Sequence, residues 1–322
     1  MASVNGVPGG RADISVSIGS ARLKNPLIAA SGCYNGGSEF AQVTDVSAYG
    51  AIVLKSITRE PRSGNGMPRI AATPAGMLNA IGLQGPGIGY FIEHEAPKLA
   101  AVPTAVIASV AGFSVDEFAQ VAVRMDGLAN VVAIELDVSC PNLDREGECF
   151  AASPDATAAV VAAVKRRVRL PVIAKLTPNV ADIKPIALAA QDAGADAVSL
   201  INAVRAMAID VVSARPVLAN VSGGLSGPAI RPIAVWAVWE AASVLHIPII
   251  GMGGIETGRD ALEFVMAGAS AVGIGTANFR DPRVPMRILG EIEAALGERG
   301  LSALAQLTGI ANPSFGAKRV AG

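Results

Sequence analysis

Eight short apolar runs, helical stretches between them, and a polar or glycine-rich stop after several of the runs predict an α/β chain closed into a (β/α)8 barrel of the TIM type. The runs occupy 26–30, 51–55, 105–110, 131–136, 172–176, 197–201, 248–252 and 271–274. Continuous Val/Ile/Leu runs of this length read as strands buried on both faces, as in a parallel sheet. The intervening stretches include alanine-rich periodic segments at 154–167, 183–193, 233–245 and 260–267. Pro154 and Asp155 open the first of these, and Thr257 precedes the last. An open doubly wound sheet is the rival, and no G-x-G-x-x-G follows the first run to support it.

The remaining segments fall into place around that barrel. Residues 14–23, with Gly19 and Ser20 at their centre, read as a hairpin plugging the barrel's bottom. Connections 56–100 and 203–230 are too long for simple loops and are expected to cover a ligand at the C-terminal mouth. The tail after Ala294 is expected to be a final helix and a loose end. No internal repeat or linker divides the chain, so residues 1–322 are expected to form a single domain.

Composition narrows the function. Hydrophobic residues make up 51% of the 322 and charged residues only 16%, ample material for a large core. Aromatics are 4%, so small aliphatics must do most of the packing. The net charge of −1, without a basic tract, argues against nucleic acid or an acidic membrane surface as partner. Cys33, Cys140 and Cys149 show no metal-ligand spacing, and an odd count argues against a disulfide framework. No segment reads as a secretory signal or membrane span, so a cytoplasmic location is expected.

Three features carry chemistry. Ser139-Cys140-Pro141-Asn142 halts the run 131–136, and a thiol at the C-terminal end of a barrel strand is a candidate reactive group. Gly251-Met252-Gly253-Gly254 and Gly273-Ile274-Gly275-Thr276 end the seventh and eighth runs, the usual phosphate-binding place in this fold. Ser222-Gly223-Gly224-Leu225-Ser226-Gly227 is a third such run that can close over the same ligand. Lys55 and Lys175 end strands in apolar surroundings, where an ammonium needs an anionic partner. A flavin meets both demands, because a lysine beside the ring's N1–O2 edge stabilises its anionic reduced form.

Lys55-Ser56-Ile57-Thr58, Asn79-Ala80-Ile81-Gly82-Leu83, Ser139-Cys140-Pro141-Asn142, Ala174-Lys175-Leu176-Thr177-Pro178 and the glycine runs together resemble class 1 dihydroorotate dehydrogenases. The wording of Ala80–Gln84 and Gly223–Pro228 is closest to the B subtype. The resemblance implies an FMN enzyme of pyrimidine biosynthesis that oxidises dihydroorotate to orotate. Cys140 would be the base and flavin N5 the hydride acceptor. It also implies FMN contacts from Ser31, Lys55, Ser56, Ser109, Lys175, Ile201, Gly227, Gly253, Gly254, Gly275 and Thr276. Substrate contacts would come from Lys55, Asn79, Gly82, Leu83, Asp137, Asn142, Asn202 and Ala203. Family members of the B subtype form homodimers and dock a second subunit carrying FAD and an iron–sulfur cluster, which passes electrons to NAD.

The chain departs from the family pattern at three positions. The family has Asn where this chain has Asp137 and Ser109, and Thr or Ser where it has Ala203. An ionised carboxylate only accepts hydrogen bonds, so Asp137 cannot donate to a ring carbonyl as an amide does. Three readings follow: the family activity with an altered pocket, a paralogue acting on another carboxylate-bearing substrate, and a flavin- or partner-binding protein without catalysis.

Overall fold

The computed structural model describes residues 11–34, 42–139 and 150–315. The first strands, β1 (Val16–Ile18) and β2 (Ala21–Leu23), pair antiparallel around Gly19 and Ser20. Ile18 and Leu23 are buried, and a Cβ at Gly19 would lie 3.1 Å from Pro171 and Asp196, just ahead of two barrel strands. The expected hairpin therefore closes the barrel's N-terminal end.

The next strands are β3 (Leu27–Ala29), β4 (Ala51–Val53), β5 (Ile70–Thr73), β6 (Gly76–Asn79), β7 (Ala105–Val110) and β8 (Val131–Leu136). They are followed by β9 (Val172–Lys175), β10 (Ala197–Leu200), β11 (Val204–Ala206), β12 (Ile209–Asp210) and β13 (Arg215–Pro216). The last are β14 (Gly223–Ser226), β15 (Ile249–Met252) and β16 (Ala271–Ile274). Parallel pairing in the order β3, β4, β7, β8, β9, β10, β15, β16 and back to β3 closes the barrel. Each expected run holds one of these eight strands. Lys55, Leu176 and Ile201 lie beyond the observed strand ends, because at the rim the chain leaves the ladder to face the mouth.

Local chemistry explains the helices. Between β7 and β8, α2 (Val115–Met125) starts at Ser114, whose Oγ accepts the Glu117 N–H at 3.2 Å. After β8, α3 (Pro154–Lys165) starts at Ser153, with proline in the first turn where no N–H is needed. The later helices are α4 (Lys184–Asp192), α5 (Arg231–Val244), α6 (Gly258–Ala267) and α8 (Val284–Glu298), with short α1 (Gly87–Tyr90) and α7 (Ala277–Arg280) at the mouth. Thr257 and Asp260 cap α6 reciprocally, each side chain taking the other's N–H, at 3.1 and 2.9 Å. Losing such a cap costs about 1 kcal/mol. The tail differs from expectation, since α8 begins at Val284, well before Ala294. Its described continuation is packed rather than loose: Asn312 is buried and donates to the carbonyls of Trp239 and Ala267.

The two long connections form more structure than expected. Strands β11, β14, β6 and β5 make a four-stranded antiparallel sheet over the mouth. The seam between the two insertions pairs Gly224 with Asn79, Leu225 with Leu78 and Ser226 with Met77. Leu78, Ala80 and Leu218 give this sheet a small core of its own. Among the described residues no helix is long and apolar enough to cross a membrane.

Candidate active site

Because all eight barrel strands are parallel, all their C-terminal ends reach one rim, and the mouth sheet roofs it. Between rim and roof lies a cavity of about 290 Å³. The rim contributes Ser31 after β3, Lys55 and Ser56 after β4, Asp137 after β8, and Lys175 at the end of β9. Ile201, Asn202 and Ala203 follow β10, Gly253 and Gly254 follow β15, and Gly275 and Thr276 follow β16. The roof contributes Asn79, Gly224, Ser226 and Gly227, with Ile81, Gly82 and Leu83 beside them. Every expected contact residue among the described positions lines this cavity except Ser109. Ser109 is fully buried behind Ser56, their hydroxyls 3.0 Å apart. Cys140 and Asn142, the expected base and a substrate ligand, lie outside the described residues, as does Cys149.

The glycine ends of β15 and β16 leave room at one side of the cavity. Gly254 has φ +75°, and a Cβ there would sit 2.7 Å from the Gly227 carbonyl, so a side chain is excluded. A Cβ at Gly275 would meet only the Ala30 Cβ, at 3.9 Å, so a side chain would grow into the cavity itself. Thr276 donates to the Ser226 hydroxyl at 2.8 Å, tying rim to roof at this end. Behind the turn, the fully buried Asn278 donates to the carbonyls of Ile274 and Gly275, at 2.9 and 3.0 Å. Its Oδ1 accepts the hydroxyls of Tyr34 and Tyr49, at 3.2 and 2.5 Å.

At the opposite wall, Asp137 is only 8% exposed yet well supplied with donors. Ser56 donates to Oδ2 at 2.9 Å, Ser139 to Oδ1 at 3.2 Å, and Asn202 to Oδ1 at 3.5 Å. Asn202 also donates to the Ser139 hydroxyl at 2.8 Å and accepts the Ala203 N–H at 2.9 Å. Both ends of its amide are engaged within the protein. The wall made by Asp137, Asn202 and Ala203 therefore offers a ligand acceptors and a methyl group.

Lys175 has an acid partner that the sequence reading missed. Glu135, in β8, is 1% exposed, and its Oε1 lies 3.9 Å from the Lys175 ammonium. Its Oε2 accepts the Ser199 hydroxyl at 2.8 Å. Burial pushes the Glu135 carboxyl above the ordinary range, against the pull of Lys175. The available signal was a carboxylate inside a run otherwise fit for a two-sided buried strand, which needs a partner as much as a lysine does. Cys33 also lines the cavity, and burial raises its thiol to about 11, so it stays a neutral thiol.

Residues 13–296 match the family model for dihydroorotate dehydrogenase. A protein of Desulforudis audaxviator, named dihydroorotate dehydrogenase B (NAD(+)), catalytic subunit, is 50% identical over 302 residues, covering 94% of this chain and 98% of its own. Proteins of the same name from Geobacter sp. strain M21 and Geobacillus kaustophilus are 48% and 47% identical. They cover 93% and 92% of this chain and 98% and 95% of their own. A closed barrel with its site at the C-terminal rim, and sequence likeness across nearly the whole chain, lead to one conclusion: this chain belongs to the dihydroorotate dehydrogenase family.

Proposed function

We propose that this chain is the FMN-binding catalytic subunit of a B-type dihydroorotate dehydrogenase, oxidising dihydroorotate to orotate. The observation that carries this reading is the convergence of Lys55, Asn79, Lys175 and the glycine turns of β15 and β16 on one roofed cavity. The lining suits FMN: the open space at Gly275 and the bare backbone of Gly253 and Gly254 suit its phosphate, and the buried Lys175 suits its ring. When bound, FMN supplies a two-electron acceptor for hydride at N5.

The chain's own residues do the rest. Lys55 and Asn79, with the backbone of 81–83, hold the substrate carboxylate by charge and hydrogen bonds. Cys140 takes the proton from the carbon next to the one that loses hydride, so the new double bond forms as both leave. The roof sheet keeps water from the reacting edge. Electrons leave through a partner subunit carrying FAD and an iron–sulfur cluster, in keeping with the name the relatives bear, and two copies of the chain form the core dimer.

Asp137 favours a second reading, the same chemistry on a carboxylate-bearing substrate whose ring edge presents a donor or a cation. Anaerobic addition of dihydroorotate to FMN-loaded protein separates the two: bleaching of the flavin supports the first, and a flavin that stays oxidised ends it. If dihydroorotate is the substrate, Asp137→Asn supplies a missing donor and lowers its KM about tenfold, on the ~1–3 kcal/mol of such a bond. An unchanged or raised KM would place the ring away from this wall.

A further inference from the structure

Glu135 is the buried charge that the proposed reaction leaves without a task. Glu135 and Asp137 are two residues apart on one extended segment, so both side chains face the barrel interior, Glu135 one layer deeper. It does not reach the cavity, but Lys175 on the adjacent strand does. The groups facing its carboxylate are Lys175 on β9, Ser199 on β10 and Asp137 toward the mouth. The Ser199 hydroxyl anchors Oε2, whereas Oε1 has no hydrogen-bond partner and meets Lys175 through charge alone, at 3.9 Å. A carboxylate with one oxygen orphaned in the core contributes little as packing. Replacing such a buried pair by apolar groups is often neutral or stabilising. What the pair does supply is a fixed ammonium at the cavity floor with its charge largely balanced from behind.

We propose that Glu135 is a positioning residue: it holds Lys175 at the cavity floor and, through its negative charge, lowers the reduction potential of the flavin bound in the cavity. This rests on the FMN reading above. A cation beside a flavin ring favours the anionic reduced form. Glu135 offsets that cation, so removing its charge must favour reduction.

The test uses Glu135→Gln purified with its FMN and titrated by spectroelectrochemistry. The expected result is a more positive potential, about tenfold toward the reduced form, or about 30 mV for a two-electron couple. In a Lys175→Met background Glu135 has lost the cation that opposes its burial and takes up a proton, so the same substitution leaves the potential where it was, an outcome that a purely structural role would not produce. Should Glu135→Gln fail to fold, Ser199→Ala removes the Oε2 donor, favours the uncharged carboxyl and shifts the potential in the same direction. A wild-type potential in the FMN-loaded variant overturns the proposal, as does an equal shift with and without Lys175. Wild-type protein that takes up no FMN overturns the FMN reading and this inference together, whereas bound FMN with an unmoved potential sinks the inference alone.

Discussion

Asp137 shows how one substitution can be absorbed by its neighbours while still changing what a ligand meets. Ser56, Ser139 and Asn202 all turn donors toward it, which compensates a carboxylate at 8% exposure. Those donors are then spent inside the protein. The short Ser109 fits behind Ser56, where its hydroxyl continues the same chain of hydrogen bonds. Cys140 has a simpler expectation. Cys140→Ala removes the proposed base and lowers kcat about 10²–10⁴-fold while FMN stays bound, a split that absorbance and turnover together detect. Turnover at the wild-type rate would assign proton abstraction elsewhere. Two of the three partnerships of Asp137 could not be read locally, since Ser56 and Asn202 stand 81 and 65 residues away in sequence.

The turn after β16 draws its geometry from one fully buried amide. Asn278 satisfies the carbonyls of Ile274 and Gly275 and accepts two tyrosine hydroxyls from the connection between β3 and β4. Asn278→Ala removes the acceptor shared by the Tyr34 and Tyr49 hydroxyls, at about 1–3 kcal/mol. The expected outcome is a lower melting temperature and easier loss of FMN on gel filtration. A variant that melts like the wild type would deny the network this role. The barrel strands were legible because two-sided burial makes each a continuous apolar run. The mouth sheet was not, because β6 and β14 are glycine-containing, show no clean alternation, and are stabilised by pairing across the two insertions. Glu135 was hidden for a related reason: one acid does not disturb a run whose other members are all aliphatic.

For the molecule as a whole, burial of neutral acids ties stability to alkaline pH. Burial raises Cys33 from 9.0 to about 11 and Tyr34 from 10.0 to about 12. Between pH 9 and 11 the folded chain keeps a proton at Cys33 that the unfolded chain releases. The stability this contributes is complete below pH 9 and is lost as pH rises through about 11, by up to about 1.4 kcal/mol per pH unit. Tyr34, fully buried, adds a further loss somewhat higher. Cys33→Ala should flatten the fall in urea midpoint across this window, and a variant as steep as the wild type would show that Cys33 does not govern it.

The sequence by itself determined the barrel, its bottom hairpin and the strand ends where chemistry collects, because these follow from short-range patterns of apolar runs and glycine stops. Which groups meet was decided only by the tertiary structure. Closing eight parallel strands brings Glu135 behind Lys175, and Ser56 and Asn202 onto Asp137, from positions far apart along the chain. A buried charge is tolerable only with a partner, and only the closed barrel supplies the partner.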